Sequence, residues 1–348
     1  MRQQTSIWQD QFGRQKRKLR ISVTDRCNFK CVYCMPEHPE WMHKKDLLSF
    51  EELYYFCEFM VQRGIEHIRL TGGEPLMRQG IVHFIQRLQD LKPLGLKKVS
   101  MTSNAHYLKK YAMALKQAGL DDLNISLDSL DAQQFYDLTK KQLAPVLEGI
   151  QAAIEVGLPV KINTVLIHGV NEDQILPLAH WSVQQGLILR FIEFMPLDGD
   201  ARWTTEHVVT EQQILQQLRQ DFVVQQPTPQ GAEPARYYLI DQHPIGVIST
   251  ISNSFCGTCD RLRLTAKGEF FNCLFAEKGL DVKAEIQALA LQKTSHISQL
   301  QQHLADYIWQ KKQGFHAIQQ TSLHGQSSSS VSTQSVASRK ISMHMIGG

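Results

Sequence analysis

The sequence lacks long apolar runs, a net charge of any size and an even number of cysteines. No apolar stretch approaches the roughly 18 residues that a membrane-spanning helix needs. The N-terminal residues are polar and do not resemble a signal peptide, so we expect the mature chain to start near Met1. Lys and Arg number 37 against 34 Asp and Glu, and the net charge of +3 does not favour general nucleic-acid binding. We therefore expect a cytoplasmic protein without membrane or nucleic-acid partners.

The cysteines fall into two groups of three and one single residue. An odd count of seven argues against a disulfide framework and for free thiols in a reducing compartment. The groups are C-x3-C-x2-C at Cys27, Cys31 and Cys34, and C-x2-C followed by a third cysteine at Cys256, Cys259 and Cys273. Cys57 stands alone in an apolar helical segment, where a buried inert thiol is expected.

Each group of three thiolates can hold a soft-metal centre. One possibility is zinc, completed at the first group by His38 or His43, and zinc is equally open at the second group. The other is a [4Fe–4S] cluster, which on three cysteines leaves one iron free for an external ligand. The spacing alone leaves both possibilities open.

Alternation of short β-rich runs with amphipathic stretches predicts an α/β fold. Strands are predicted at 19–23, 67–71, 98–102, 123–126, 160–166 and 187–193, and helices at 49–64, 81–91, 108–118, 144–156 and 176–185. Six such passes predict a parallel sheet but fall short of the eight that close a barrel of roughly 250 residues. An open sheet and a partial barrel both remain possible, and both place working residues at the carboxyl ends of the strands.

The character of the sequence changes after residue 195. A Pro/Gln/Gly-rich connection at 225–234 predicts a boundary between a domain at 1–230 and a smaller domain at 231–324. The smaller domain is predicted to contain strands at 237–240 and 246–251. Residues 325–340 are Ser-rich and expected to be mobile, whereas the tail 341–348 is again apolar and ends in two glycines.

Two short motifs accompany the cysteines. Gly72-Gly73-Glu74-Pro75 follows the second predicted strand; its glycines permit close approach of a ligand, and Glu74 can accept a hydrogen bond from an ammonium group. By itself this motif is a tight turn. If residues 260–263 form a strand, Arg261 and Arg263 share one face beside the second cysteine group. Such a pair can bind phosphate oxygens or form ordinary surface ion pairs.

The first cysteine group, with Tyr33 before its last cysteine, and the Gly-Gly-Glu-Pro motif together resemble the radical S-adenosylmethionine superfamily. Within it, the chain resembles the GTP 3',8-cyclase family of molybdenum cofactor (molybdopterin) biosynthesis. That likeness rests on residues 19–25, 69–71, 124–128, 161–164, 190–193, 256–263 and the terminal Gly-Gly. It runs from about Leu19 to Cys273 and resumes at the C-terminus. Where the family has Thr-Asn-Gly, this chain has Ala105, at a position predicted to need positive φ.

The resemblance implies an incomplete (β/α)6 TIM-like barrel whose smaller C-terminal domain carries a second iron–sulfur cluster. It implies one [4Fe–4S] cluster on each cysteine group, with S-adenosylmethionine bound at the first. The residues implied at this cofactor are Tyr33, Gly73, Glu74, Ser126 and Met195. Those implied at GTP are Arg20, Arg69, Thr102, Lys161, Arg261, Leu262 and Arg263. The expected catalytic residues are Arg261, Arg263, Gly347 and Gly348, the last two in a tail that enters the cavity.

The implied reaction converts GTP to (8S)-3',8-cyclo-7,8-dihydroguanosine 5'-triphosphate after a 5'-deoxyadenosyl radical removes the ribose C3' hydrogen. The implied partners are a reducing electron donor and a downstream cyclic pyranopterin monophosphate synthase, with the enzyme a monomer or homodimer. Most of the implied GTP side chains are cationic in a nearly neutral chain, which fits a local site for a triphosphate. The rival hypotheses are a peptide-modifying radical enzyme, which has no use for the two arginines, and a non-catalytic zinc scaffold.

Overall fold

The computed structural model describes residues 8–197, 200, 202–226, 233–293, 297–315, 317–318 and 342–347. The Ser-rich segment 325–340, Gly348 and residues 227–232 of the predicted connection lie outside this part of the chain. The domain boundary near residue 230 therefore stays a prediction.

One twelve-stranded sheet organises the described residues. Its strands are β1 (Lys18–Ser22), β2 (His67–Thr71), β3 (Lys98–Ser103), β4 (Asp122–Ser126), β5 (Val160–Leu166), β6 (Ile188–Glu193), β7 (Val224–Gln225), β8 (Arg236–Ile240), β9 (His243–Ile248), β10 (Arg261–Leu264), β11 (Glu269–Phe271) and β12 (Leu280–Asp281). The spatial order is β12-β11-β10-β1-β2-β3-β4-β5-β6-β9-β8-β7. Strands β1 to β6 are parallel neighbours in chain order, which confirms the six predicted strands.

The strands after residue 230 extend this same sheet at both edges. Strand β9 pairs in parallel with β6, and β10 pairs in parallel with β1. The remaining pairs, β7–β8, β8–β9, β10–β11 and β11–β12, are antiparallel. Because β10 lies directly beside β1, the arginines of the second cysteine region are adjacent to the first strand of the barrel.

Helices cover the outer face of the sheet, except for a short one in the C-terminal tail. They are α1 (Phe50–Val61), α2 (Ile81–Leu88), α3 (Leu108–Gln117), α4 (Ala132–Thr139), α5 (Ala144–Glu155), α6 (Ile175–Gln185), α7 (Glu211–Leu218), α8 (Lys283–Ala290), α9 (Ile297–Trp309) and, in the tail, α10 (Met343–Ile346). The predicted capping box at Ser49 and Glu52 is present at the start of α1. The main core lies between these helices and outward-facing strand residues such as Leu19, Leu70 and Val99.

Helix α4 was not predicted from the sequence. It is short and mostly polar, and only Phe135, Leu138 and Thr139 are buried. The Asp131 side chain starts it by accepting a hydrogen bond from the Gln134 backbone N–H, 2.7 Å away. Because these eight residues include few apolar positions, their helical periodicity is weak. The Asp131 N-cap was the feature of the sequence that indicated a helix here.

Packing of α5 against the turn after β3 depends on a glycine. Ala105 in that turn has φ 61°, as the departure from Thr-Asn-Gly predicts, and is fully buried. A Cβ at Gly149 would collide with the Ala105 carbonyl oxygen. In an open helix Gly→Ala stabilises by roughly 1 kcal/mol. We expect Gly149→Ala instead to lower the free energy of unfolding by about 1–3 kcal/mol, measured by urea denaturation. An unchanged or higher stability would contradict this packing.

Candidate active site

A cavity of about 340 Å³ lies against the inner face of the sheet. Strands β1 to β6 and β10 all contribute side chains to its wall, so the sheet curves around it as an incomplete barrel does. A strand presents every second residue to one face. The inward set is polar and largely cationic: Lys18, Arg20, His67, Arg69, Thr71, Lys98, Ser100, Thr102, Asp122, Asn124, Ser126, Lys161, Asn163, Arg190, Arg261 and Arg263.

Three arginines form a row across this wall. Pairing registers place Arg263, Arg20 and Arg69 side by side on β10, β1 and β2. Burial and then the charges of Arg263 and Arg69 lower the pKa of Arg20 well below its usual range. Burial likewise lowers the pKa of Arg69 to about 10, and its Nη1 is buried without a hydrogen-bond partner. Guanidiniums crowded in this way make a site for a polyanion, because an anion supplies the missing hydrogen bonds and relieves the repulsion.

The first cysteine group lies in the loop after β1, and all three thiols line the cavity. They are free of disulfides. Burial and then the Glu74 carboxylate raise the pKa of Cys27 to about 12. Burial and then neighbouring thiols also raise the pKa of Cys31 and Cys34 above the usual range, with Asp128 contributing at both. Half-buried thiols that repel one another as thiolates need a strongly cationic centre to hold them deprotonated, and an iron–sulfur cluster provides one.

The position of the histidines argues against zinc at the first group. His38 and His43 are exposed and line a different cavity, together with Trp41. Across the described ranges, no three His, Cys, Asp or Glu side chains form a group that could hold one metal ion.

The second cysteine group lines the opposite part of the same cavity, beside Arg261. The Arg261 Nη2 lies 3.5 Å from the Cys259 Sγ. Burial opposes ionisation of this thiol, but the charges of Arg261 and Lys311 prevail and lower the pKa of Cys259 to about 5. A thiolate that is already formed is a ready metal ligand, so these residues also fit an iron–sulfur cluster.

Four of the five residues expected at S-adenosylmethionine line the cavity: Tyr33, Gly73, Ser126 and Met195. The Tyr33 hydroxyl donates a 2.6 Å hydrogen bond to Asp128. At Gly73 a Cβ would collide with the backbone of Arg26, so the loop leaves no room for a side chain there.

Glu74, the fifth residue expected at this cofactor, is held by hydrogen bonds within the protein. It is 1% exposed, and its carboxylate accepts hydrogen bonds from the Leu76 N–H (3.0 Å), the Ser103 hydroxyl (2.9 Å) and the Asn104 N–H (2.8 Å). Burial raises the pKa of Glu74 to about 7. The side chain therefore ties the Gly-Gly loop to the end of β3, and the cavity wall does not include it.

The residues expected at GTP meet in one place, with one exception. Arg20, Arg69, Thr102, Lys161, Arg261 and Arg263 all line the cavity. Leu262 is the exception, because it alternates with the two arginines on β10 and its side chain is 0% exposed in the core behind the sheet. Sequence reasoning also missed Arg190, whose Nε donates to the Asn163 side chain at 2.9 Å. Period-two alternation along β5 and β6 was the signal that could have placed Asn163 and Arg190 on the inner face.

The C-terminal tail enters this region. The Gly347 carbonyl oxygen accepts a hydrogen bond from the Arg263 guanidinium. Met343 lines the cavity, and its N–H donates to the Leu197 carbonyl at 3.1 Å. Gly348 lies outside the described residues.

Gly347 has no room for a side chain. Its φ is 75°, and a Cβ would collide with the Thr71 methyl group. We expect Gly347→Ala to undock the tail and to speed its removal by carboxypeptidase at least about tenfold, since left-handed backbone alone costs a non-glycine residue roughly 1–2 kcal/mol. Adding Thr71→Ser removes the methyl group and is expected to recover part of the protection. Equal digestion of Gly347→Ala and the parent protein would show that the tail does not dock in this way.

None of the helices in the described residues is both long enough and apolar enough to cross a membrane.

Two family profiles match the chain. The Radical SAM superfamily profile matches residues 21–182, and the Molybdenum Cofactor Synthesis C profile matches residues 187–317. The first range runs from the end of β1 through β5 and includes the first cysteine group, and the second contains β6 to β12 and the other group.

Relatives of substantial identity cover most of the chain. A GTP 3',8-cyclase of Streptomyces coelicolor is 43% identical over 287 residues, which are 80% of this chain and 84% of the relative. One of Staphylococcus epidermidis is 39% identical over 292 residues, 81% and 85% of the two chains. Among solved structures, Streptococcus suis SuiB bound to its precursor peptide SuiA gives a TM-score of 0.58 at 13% identity. That match covers 79% of this chain and 64% of SuiB and supports the fold alone. The chain belongs to the GTP 3',8-cyclase family of the radical S-adenosylmethionine superfamily.

Proposed function

We propose that the chain converts GTP to (8S)-3',8-cyclo-7,8-dihydroguanosine 5'-triphosphate, the first step of molybdenum cofactor biosynthesis. The observation that carries the proposal is the single cavity lined by both cysteine groups and by the row of arginines between them. This cavity offers a site for a redox cluster at each cysteine group and a polyanion site at the arginines. Such an arrangement suits radical chemistry on a nucleoside triphosphate.

The arginines bind and orient the triphosphate. Arg20, Arg69 and Arg263 offer adjacent guanidinium forks, which suit the bidentate recognition of phosphate oxygens. Lys161, which lines the same wall from β5, adds a further cation. Because the phosphates would be fixed at this wall, the ribose and base would lie within the cavity that both cysteine groups line. Orientation of this kind replaces a bimolecular encounter with a positioned one.

S-adenosylmethionine would be held by residues of the cavity wall near the first cysteine group. Gly73, packed against the Arg26 backbone, and Tyr33, kept in place by Asp128, line this part of the cavity with Ser126 and Met195. Cys27, Cys31 and Cys34 would hold the first cluster, which would supply the electron for reductive cleavage of S-adenosylmethionine and so the means to remove the C3' hydrogen. The tail, through the Gly347 carbonyl on Arg263, fixes the orientation of that guanidinium and helps exclude water.

The wider context of the reaction follows from its chemistry. The first cluster needs an external one-electron donor, and the cyclised nucleotide is passed to a cyclic pyranopterin monophosphate synthase. Free thiols in the described chain are consistent with the reducing cytoplasm as its location. We propose a monomer or homodimer as the working form.

An anaerobic assay tests this function. Reconstituted, reduced protein is incubated with S-adenosylmethionine and either GTP, ATP or no nucleotide. We expect 5'-deoxyadenosine and the cyclised nucleotide to form with GTP, and only background cleavage to occur in the other two samples. Equal 5'-deoxyadenosine in all three would contradict the proposal and would favour a different substrate, such as a peptide.

A further inference from the structure

Each cysteine of the second group has a buried cation bonded to its own backbone or to that of its neighbour. Arg14 Nη1 donates to the Cys256 carbonyl at 2.7 Å, and Lys16 Nζ donates to the Cys259 carbonyl at 2.8 Å. Lys311 Nζ donates to the carbonyl of Asn272, the residue before Cys273. Together, Arg14, Lys16 and Lys311 form a cation shell. They come from the N-terminal segment and from the residues after α9, and so brace all three ligand loops.

The cation shell is buried and only partly neutralised. Arg14 is 8% exposed, Lys16 0% and Lys311 2%. Asp10 pairs with Arg14 at 2.7 Å and with Lys16 at 2.6 Å, and it is the one carboxylate that forms a salt bridge with the shell among the described residues. Lys311 instead lines the cavity, where Arg261 adds another cation beside Cys259. The nearby Asp260 is itself paired with Lys18 at 3.1 Å. A net positive charge therefore surrounds the second cysteine group.

The first cysteine group has the opposite surroundings. Buried carboxylates act on its thiols, Glu74 on Cys27 and Asp128 on Cys31 and Cys34. Both carboxylates are buried and held by hydrogen bonds within the protein, so their positions are fixed. One-electron reduction of a cluster adds one negative charge, which buried cations stabilise and buried carboxylates destabilise.

We propose that the cation shell positions the ligand loops of the second cluster and raises its reduction potential above that of the first cluster. Arg14, Lys16 and Lys311 are thus positioning residues, which act through the cluster and not on GTP. The inference rests on the proposed function, since it requires an iron–sulfur cluster at each group. It makes the second cluster the site that accepts an electron first.

Redox titration of one cluster at a time tests this inference. In the full chain, replacing Cys27, Cys31 and Cys34 by Ser leaves the second cluster alone, with about four irons per chain. Its midpoint potential is measured by anaerobic dithionite titration followed by electron paramagnetic resonance. The chain with Cys256, Cys259 and Cys273 replaced by Ser gives the potential of the first cluster, which we expect to be the lower of the two.

Variants of the cation shell are then compared in the chain whose first cysteine group is replaced by Ser. Lys311→Gln and Lys16→Gln keep a hydrogen-bond donor but lose the charge, and each is expected to shift the reduction equilibrium tenfold or more toward the oxidised cluster, about 59 mV for one electron. Lys312→Gln is the matched control, because Lys312 is adjacent in sequence but exposed, and its potential is expected to equal that of the parent. If Lys311→Gln fails to hold iron, the potential of Lys16→Gln decides.

Three results would overturn the inference. Unchanged potentials in Lys311→Gln and Lys16→Gln with full iron content would show that the shell has no electrostatic role at the cluster. A first cluster that is reduced before the second would contradict the predicted order. If the chain with Ser at positions 27, 31 and 34, whose second group is intact, binds no iron, the second cluster is refuted, and with it the proposed function.

Discussion

Arg20→Gln is expected to make the GTP-free protein more stable and, at the same time, to weaken GTP binding. Arg20 is half-buried among other guanidiniums, and replacing it with a neutral side chain removes both their repulsion and the cost of partly desolvating a charge. We expect the free energy of unfolding to rise by about 1 kcal/mol or more. Loss of a charge-assisted bidentate contact is expected to weaken GTP binding by roughly 10- to 150-fold. Thermal unfolding and isothermal titration calorimetry with GTP measure the two effects.

Arg17→Gln serves as the matched control for that substitution. Arg17 is close in sequence, but its side chain is 50% exposed and pairs with Glu66 at 3.8 Å. Removing this surface charge is expected to change neither stability nor GTP affinity appreciably. A stabilised Arg20→Gln protein that binds GTP as tightly as the parent would show that the row of arginines is not the phosphate site. A destabilised one would show that a partner within the protein neutralises Arg20.

Cys31→Ala is expected to remove one cluster and leave the other. After anaerobic reconstitution, the parent should contain about eight irons per chain and the variant about four, because each [4Fe–4S] cluster depends on its own three cysteines. Reductive cleavage of S-adenosylmethionine is expected to fall to background, since the second cluster does not bind that cofactor. Iron analysis and quantification of 5'-deoxyadenosine measure the two consequences.

Cys57→Ala is the control for loss of a thiol as such. Cys57 lies within α1 and is fully buried in the main core, away from the cavity wall. Its replacement is expected to reduce stability modestly, by the cost of a small cavity, and to leave iron content and cofactor cleavage intact. Iron loss in Cys57→Ala equal to that in Cys31→Ala, or one to two zinc ions per chain in place of iron, would contradict the assignment of the clusters.

The sequence was sufficient to predict the features that depend on local pattern. Strands β1 to β6 were predicted because each is a short apolar run between turn residues, and the cysteine groups because metal ligands have characteristic spacings. The two arginines on β10 share a face because alternation along a strand is fixed by its geometry. What joins β10 to β1 is long-range pairing, and no local pattern of residues specifies it.

Features that depend on register or on burial were missed or misassigned. Alternation along β6 places Arg190 on the inner face, but its contact with Asn163 depends on the register between β5 and β6. Leu262 was grouped with the arginines by sequence proximity, although the same alternation that joins them turns it into the core. The hydrogen bonds that Glu74 accepts from Ser103 and Asn104 could not be predicted, because these donors lie at the end of a different strand. The cation shell brings together residues about 300 positions apart, such as Arg14 and the segment at Lys312, which pattern alone does not relate.

Transfer of a labelled hydrogen tests the central claim most directly. GTP that carries deuterium at the ribose C3' is incubated anaerobically with the reconstituted, reduced protein and S-adenosylmethionine, and the 5'-deoxyadenosine is analysed by mass spectrometry. The cavity described here predicts that this product gains one deuterium and that the cyclised nucleotide lacks it. Unlabelled 5'-deoxyadenosine, formed at the same rate with and without GTP, would contradict the account.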